Sequence, residues 1–582
     1  MFLIDRKKWP RIESLMADDA VLPIDFAITC MILKGLPQLS ENGAAFVCKL
    51  IMASRLGHLC ITKEGDQLIP LSSSLFENTA CAQTLDQMAI KGMAEIAQLL
   101  PGSGQAVDGG FSPIIRLDSY FYLQKNAFFE ERFIEEIFRI ASHPIEYEID
   151  NLSVSPLLNI AQKQAVYNSL SSTFSIITGG PGTGKTFTAA EIVRQYKIHG
   201  KKDLRIILAA PTGKASMHLE SSVRKLIAAD CSIESGTLHF LLSIKSSEGM
   251  MKKAPILYAD LVIVDEASMI DARMFFYFLS ALQKGTAVIL MGDKDQLPPI
   301  DSGSLFADLI EYAAMNKGIS YSELTECMRS DRKQILDFAK AINQQDLTLV
   351  QKMLLDHTAS LERMSFFDPS QSIKQGYEAL WNFCQPRFSF IQDDLDPLYL
   401  LKTFDRFRIL SCIRKGPLGV DAINQFFFNR FSSIGFSDWI AYPILIKKTQ
   451  YSIGLFNGDT GVLIKYKDND SEKALAYFYD KQGDLPRQIP LAMLPDYEYA
   501  YCLSIHKSQG SEYDDVLILA QQGSSLFGKE VLYTAVTRAK NSVFIDIRDD
   551  VLQQLINRSS RKISGLHARL RIAKEAVCYQ ES

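Results

Sequence analysis

Residues 176–186 read IITGGPGTGKT, an apolar run that stops at Gly179 and opens into Gly180-Pro181-Gly182-Thr183-Gly184-Lys185-Thr186. The pattern G-x-x-x-x-G-K-S/T, set between a strand-like and a helix-like segment, is a phosphate-binding loop. Its glycines permit a tight turn whose N–H groups point at phosphate oxygens near a helix N-terminus. Lys185 is expected to reach the β- and γ-phosphates and Thr186 to hold Mg²⁺. Such a loop needs a parallel sheet behind it. The surrounding sequence supplies one: the buried-type runs SIIT, RIILAA, LVIVD and AVILMG alternate with helical stretches from Phe174 to about Ile342.

A second alternating set, RILSCI, DVLILA and SVFIDI, follows from about Arg408. Within it, residues 437–500 change texture to several short strands joined by turns, which predicts a small β-barrel inserted into a second α/β domain. Residues 1–110 read as helical, and the Gly-rich stretch at 101–110 as a loop. Residues 111–155 read as a hairpin, a helix and a linker. The domain expectation is therefore a helical unit at 1–110, that linker, an ATPase domain at 156–345 and a second domain at 346–582. No C-x-x-C pair occurs among the ten cysteines, no apolar run of 18 residues is present, and no secretory h-region opens the chain. The expectation is a cytoplasmic protein with reduced thiols. Net charge is −5, so no global basic field announces a nucleic-acid partner, although a cleft on an acidic body can be locally basic.

Two further segments carry chemistry. In LVIVDEAS, four apolar residues end in Asp265 and Glu266, which places both carboxylates at the carboxyl end of a buried strand, where open α/β sheets bind ligands. Asp265 is expected to hold Mg²⁺, and Glu266 to polarise the water that attacks the γ-phosphate. In LMGDKDQLPPI a strand enters a proline-locked loop, which fixes a polar side chain; Gln296 is placed to contact the γ-phosphate or the attacking water, or to be only part of a turn.

With these segments in hand, the order of motifs resembles that of superfamily 1B DNA helicases. GDKDQLPPI after VDEAS resembles motif III after motif II. LNIAQKQA resembles the Q motif, with Gln162 as the adenine-reading amide. APTGKA (210–215) resembles motif Ia, and Thr237-Leu238-His239 the DNA-contacting segment that follows it. LTECMR resembles motif IV, with Arg329 as its arginine; SIHKSQGSE resembles motif V; and YTAVTRA resembles motif VI, with Arg538. The fit is closest to the RecD family, the motor subunits of exodeoxyribonuclease V-type helicase–nucleases. It is specific over 155–345 and 405–575 and looser at the N-terminus, and residues 351–403 match no motif.

The resemblance implies two RecA-like P-loop-type domains facing across a cleft, a helical N-terminal domain and an SH3-like β-barrel insertion. The implied reaction is ATP-driven 5′-to-3′ movement on DNA, with Mg²⁺ as cofactor and RecB-like and RecC-like subunits as partners. Catalysis would fall to Lys185, Asp265, Glu266, Gln296 and Arg538, with Arg329 a candidate second arginine finger. Nucleotide binding would fall to Gln162 and residues Gly179, Gly180, Pro181, Gly182, Thr183, Gly184, Lys185 and Thr186. Thr212, Lys214, Thr237, His239, His506, Ser508 and Gln509 suit contacts to one strand's phosphates and sugars, which position without reading sequence. His239 equally suits a structural role, and Phe240 and Phe456 suit either stacking on bases or core packing. A free-standing helicase of the same type is the alternative; no repeated Gly-containing helical hairpins stand out in 1–150 to favour it. No nuclease constellation stands out.

Overall fold

The computed structural model describes residues 9–580, apart from 18–19, 37, 77, 101–111, 144–152, 200–202, 228–231, 245–254, 317–318, 328–332, 357, 389–395, 435–438, 469–470, 481–484, 522 and 525–526. Strands β1 (Cys60–Glu64), β2 (Gln67–Ile69), β3 (Ile114–Leu117) and β4 (Tyr120–Leu123) form an antiparallel sheet in the order β2-β1-β4-β3. The N-terminal unit is therefore not helical alone, and a boundary at 110 would cut its sheet. The hairpin at 114–123 belongs to the first unit because Ile114 and Phe121 share a core with Phe46 and Ile61. Phe46 meets Phe121 edge-on, ring centroids 5.0 Å apart. Its helix Glu41–Arg55 is buried on nearly all sides, as an all-round apolar helix must be. Ser40 caps it, accepting from the Asn42 and Gly43 amides.

The next sheet comprises β5 (Phe174–Gly179), β6 (Arg205–Ala210), β7 (Ser232–Thr237), β8 (Leu261–Val264), β9 (Ala287–Gly292) and β10 (Ser320–Leu324). Its order is β10-β5-β9-β8-β6-β7, and every pairing is parallel. Residues of β5, β8 and β9 are buried throughout, because helices cover both faces.

The second parallel sheet is built from β11 (Leu361–Met364), β12 (Phe407–Ser411) and, beyond an insertion of five antiparallel strands, β18 (Cys502–Ser504), β19 (Tyr513–Ala520) and β20 (Ala539–Ile547), in the order β11-β20-β19-β12-β18. The insertion holds β13 (Trp439–Ile446), β14 (Thr460–Asp468), β15 (Ser471–Phe478), β16 (Arg487–Pro490) and β17 (Tyr497–Tyr499), ordered β16-β15-β14-β13-β17. The helix Lys333–Asn343 differs from its expected place. Ile335, Phe338 and Ile342 pack into the core of the second sheet, so the crossing between domains lies before residue 333.

After the last helix of the second domain, the chain runs back across the molecule. Leu59 N donates to Ile563 O and Ile563 N to His58 Nδ1, both at 2.9 Å. Burial, with Lys562 nearby, pulls the His58 pKa down to about 3, which keeps Nδ1 an acceptor. Leu566 and Leu570 are buried against the first parallel-sheet domain and the helix Gln124–Ala141. Beside them Glu130, wholly buried, accepts from Tyr122 Oη (2.8 Å) and the Gly565 amide (3.2 Å) and pairs with Arg569 (3.3 Å). Among the described residues no helix is long and apolar enough to cross a membrane.

Candidate active site between the two sheets

The loop after β5 makes its turn through Gly182 (φ +74°) and Gly184 (φ +81°), left-handed conformations that favour glycine. A Cβ on Gly179 would lie 2.7 Å from Leu324 O and Thr183 Oγ1, so the start of the loop has no room for a side chain. Lys185 opens the helix Lys185–His199, and its Nζ donates to Gly179 O (2.6 Å) and Gly180 O (3.1 Å). Gln162 braces the loop from behind. Its Nε2 donates to Thr183 O (2.9 Å), and its Oε1 accepts from the Asn159 amide (3.0 Å) in a capping box. Both ends of the amide expected to read adenine are thus engaged on protein, although Gln162 does line the cavity.

Asp265 and Glu266 follow β8. Asp265 continues the sheet through its amide to Ala209 O, and its Oδ1 accepts from the Glu266 amide at 2.8 Å. Glu266 sits at φ +52°, ψ +40°, a left-handed conformation unusual for a residue with a Cβ and the kind of strain found at working sites. Burial raises the pKa of both carboxyls. For Asp265 the Lys185 ammonium is the main opposing influence; for Glu266 the Asp265 charge adds to the rise while Arg538 and Lys185 oppose it.

The second domain closes the site. Lys185, Thr186, Asp265, Glu266 and Gln296 share a cavity of about 1110 Å³ with Gly510, Glu512, Arg538 and Lys540. Arg538 is 3% exposed. Its guanidinium donates to Thr534 O, Ser511 O and Thr537 Oγ1 at 3.1–3.3 Å, neutral acceptors that aim its charge without cancelling it. Gln296 donates from Nε2 to Asp293 Oδ2 (3.1 Å), while its Oε1 is buried without a partner.

The buried Asp265 has no cationic group among its hydrogen-bond partners, and no group of three or more His, Cys, Asp or Glu side chains suited to a metal occurs among the described residues. One carboxylate and one hydroxyl, completed by phosphate oxygens and water, fit Mg²⁺, which is usually held that way beside a nucleotide.

The residues expected on DNA are placed unevenly. Thr212 and Thr237 cap the helices Gly213–Leu226 and Leu238–Leu241, accepting from Ala215 N and Phe240 N. Lys214 lines the nucleotide cavity, with Nζ 6.0 Å from the Tyr513 ring centre. His239 is exposed, and Phe240 beside it is 46% exposed. His506 is half-buried near Phe527, and burial lowers its pKa. Ser508 and Gln509 call for correction. Ser508 is wholly buried and donates to Ile505 O; Gln509 is 6% exposed and donates to Leu297 O across the cleft at 3.2 Å. Their polar ends serve the fold and the domain contact, not an accessible strand. Arg329 lies outside the described residues.

The sequence reading missed the contacts from the second domain to the loop 293–297. Tyr533 Oη donates to Asp293 Oδ2 (3.0 Å), and the Leu297 amide donates to Thr534 Oγ1 (2.9 Å). Two polar residues five and four positions before Arg538 were the available signal.

Residues 157–362 match the AAA domain model, and 499–545 match the UvrD-like helicase C-terminal domain. The RecBCD enzyme subunit RecD of Mycolicibacterium smegmatis is 32% identical, covering 71% of this chain and 75% of its own. The subunit of that name from Buchnera aphidicola of Schizaphis graminum is 28% identical, over 75% and 81%. The solved Pif1 helicase from Candida albicans covers 72% of this chain and 100% of its own at 15% identity, with a TM-score of 0.41, too loose a superposition to argue from.

Proposed function

The chain belongs to the RecD family of ATP-hydrolysing DNA helicases, and from that premise we propose that it is the 5′-to-3′ motor subunit of a cytoplasmic RecBCD-type helicase–nuclease, acting in double-strand break repair and homologous recombination. The observation that carries the motor reading is that Arg538, from the second domain, and Glu266, from the first, line one cavity with the phosphate loop. A nucleotide held by both domains binds their closed arrangement more tightly than the open one, so each hydrolysis cycle shifts the population between the two.

The chemistry follows from where each group stands. The loop amides and Lys185 bind the triphosphate, and Thr186 and Asp265 would hold Mg²⁺, which when bound draws charge off the phosphate oxygens. Gln296 Oε1 accepts from a water and turns its lone pair toward the γ-phosphorus. The water oxygen bonds to that phosphorus, the bond to the β–γ bridging oxygen breaks, and its electron pair leaves with ADP. Glu266 takes the water's proton, and its raised pKa suits it to the task. Arg538 meets the charge spread over the transferred phosphoryl.

RecB-like and RecC-like partners would dock on the N-terminal unit. On the helix Pro23–Leu33, Ile24 (54% exposed) and Met31 (67%) stand two turns apart on one face, with Leu22 beside them. The antiparallel insertion is read as an SH3-like module flanking the DNA strand: Phe456, in its connection between β13 and β14, packs against Gly213 of the segment expected to contact DNA. Ile24→Glu/Met31→Glu should abolish co-purification with the two large subunits while ATPase persists. Unchanged assembly would argue for the free-standing alternative.

A further inference from the structure

Asp293 Oδ2 accepts two hydrogen bonds, from Gln296 Nε2 (3.1 Å) on its own loop and from Tyr533 Oη (3.0 Å) on the helix Lys529–Val536 of the other domain. The remaining oxygen, Oδ1, accepts from the Asp295 amide (3.1 Å). With Nε2 committed to a carboxylate, the Gln296 amide has only one sense: its Oε1 is the end left free, buried and unpartnered on a residue that lines the cavity. The sense matters chemically. A carbonyl oxygen accepts a hydrogen bond from the attacking water and leaves the water's lone pair for phosphorus, whereas an amide NH₂ in that place would bind the lone pair itself.

Tyr533 reaches this point only from a docked second domain. Its hydroxyl lies 3.3 Å from where a Cβ on Gly180 would stand, so it touches the phosphate loop and motif III together. The same docking inserts the Leu297 side chain into the second domain's core. It also brackets the Leu297 backbone, whose amide donates to Thr534 Oγ1 and whose carbonyl accepts from Gln509 Nε2. Tyr533 is 6% exposed, and burial together with Asp293 holds its phenol well above the usual range, so it remains the donor.

We propose that Tyr533 is a positioning residue which, through Asp293, holds the Gln296 amide with its oxygen toward the attacking water, so that the water is oriented only while the two domains are docked. Arg538, five residues on, would then arrive with the same helix end, which couples charge stabilisation to water orientation. The inference rests on Gln296 being the amide that meets the water.

The test is steady-state ATPase with saturating single-stranded DNA for Tyr533→Phe, Gln296→Ala and the double variant, with ATP affinity measured separately. Tyr533→Phe, which keeps the ring, should lower kcat by about 10- to 100-fold with KM for ATP within about twofold of wild type. The double variant should be no slower than Gln296→Ala, since both changes disable one device. Full kcat in Tyr533→Phe with an impaired Gln296→Ala overturns the relay alone; full kcat in Gln296→Ala overturns the reading beneath it. A double variant slowed by the product of the single effects, or a loss in Tyr533→Phe carried by KM, also overturns the relay.

Discussion

The Leu297 amide in the first domain donates to Thr534 Oγ1 in the second at 2.9 Å, with both groups buried. Thr534 also lends its carbonyl to Arg538 Nε, so one residue touches both the motif III loop and the arginine at the cavity. Thr534→Val keeps the shape and removes the acceptor, leaving a buried N–H unpaired at a cost of about 1–3 kcal/mol. We expect a lower midpoint in thermal unfolding and a larger proportional loss in DNA-stimulated ATPase than in nucleotide affinity. Equal losses in both would mean that the contact only supports the fold.

Lys185 and Arg538 line one cavity from opposite domains, and the proposed function has both act on the same phosphates. Lys185→Gln should cut kcat by about 10²–10³-fold, the scale for losing one preorganised charge donor. Arg538→Ala should cut it by about 10³–10⁵-fold, the scale for an arginine finger, while nucleotide still binds. Single-turnover hydrolysis and equilibrium ATP binding separate the two effects.

Glu266 must be ionised to take a proton, and burial beside Asp265 raises its pKa. Activity should therefore rise with pH along an acid limb displaced above the ordinary carboxylate range, read in kcat/KM between pH 5 and 8. Glu266→Gln should remove that limb together with about 10²–10⁴-fold of the rate. The sign for stability is opposite. A carboxyl whose folded pKa is raised leaves the folded state short of stability above that pKa, so Glu266→Gln should raise the melting temperature at pH 8 but not below the ordinary carboxylate pKa.

Arg569 pairs with Glu130, which is wholly buried, whereas Arg132 pairs with Glu135 on an exposed helix face. Arg569→Met strands a buried carboxylate and should cost about 3–5 kcal/mol. Arg132→Ala should change stability by less than about 1 kcal/mol. Denaturant unfolding of both variants checks the contrast, which would also show that the returning C-terminal segment supports the N-terminal unit.

What was legible in the sequence was local. The phosphate loop, LVIVDEAS and the alternating strands each combine a short apolar run with a turn, and the structure realises all of them within residues of where they were read. Arg538 was legible as well, because its motif stands in a fixed order with the others. What depended on distant partners was not legible. Nothing near residues 60–62 announces that they pair with 120–122, so a mixed unit reads as helical. Ser508 and Gln509 look like surface contacts by residue type; only the fold shows their side chains turned toward Ile505 and Leu297. Tyr533 carries no local signal, because its contact is with Asp293, 240 residues away.

The most direct test of the motor is unwinding of a duplex carrying a 5′ single-stranded tail against one carrying a 3′ tail, with ATP and Mg²⁺, by the assembled complex with any ATPase site of the partner chains inactivated. The account predicts that the 5′-tailed duplex is opened and the 3′-tailed one is not, and that Lys185→Gln in this chain abolishes the opening. Preference for the 3′ tail, or opening that survives Lys185→Gln, would contradict it.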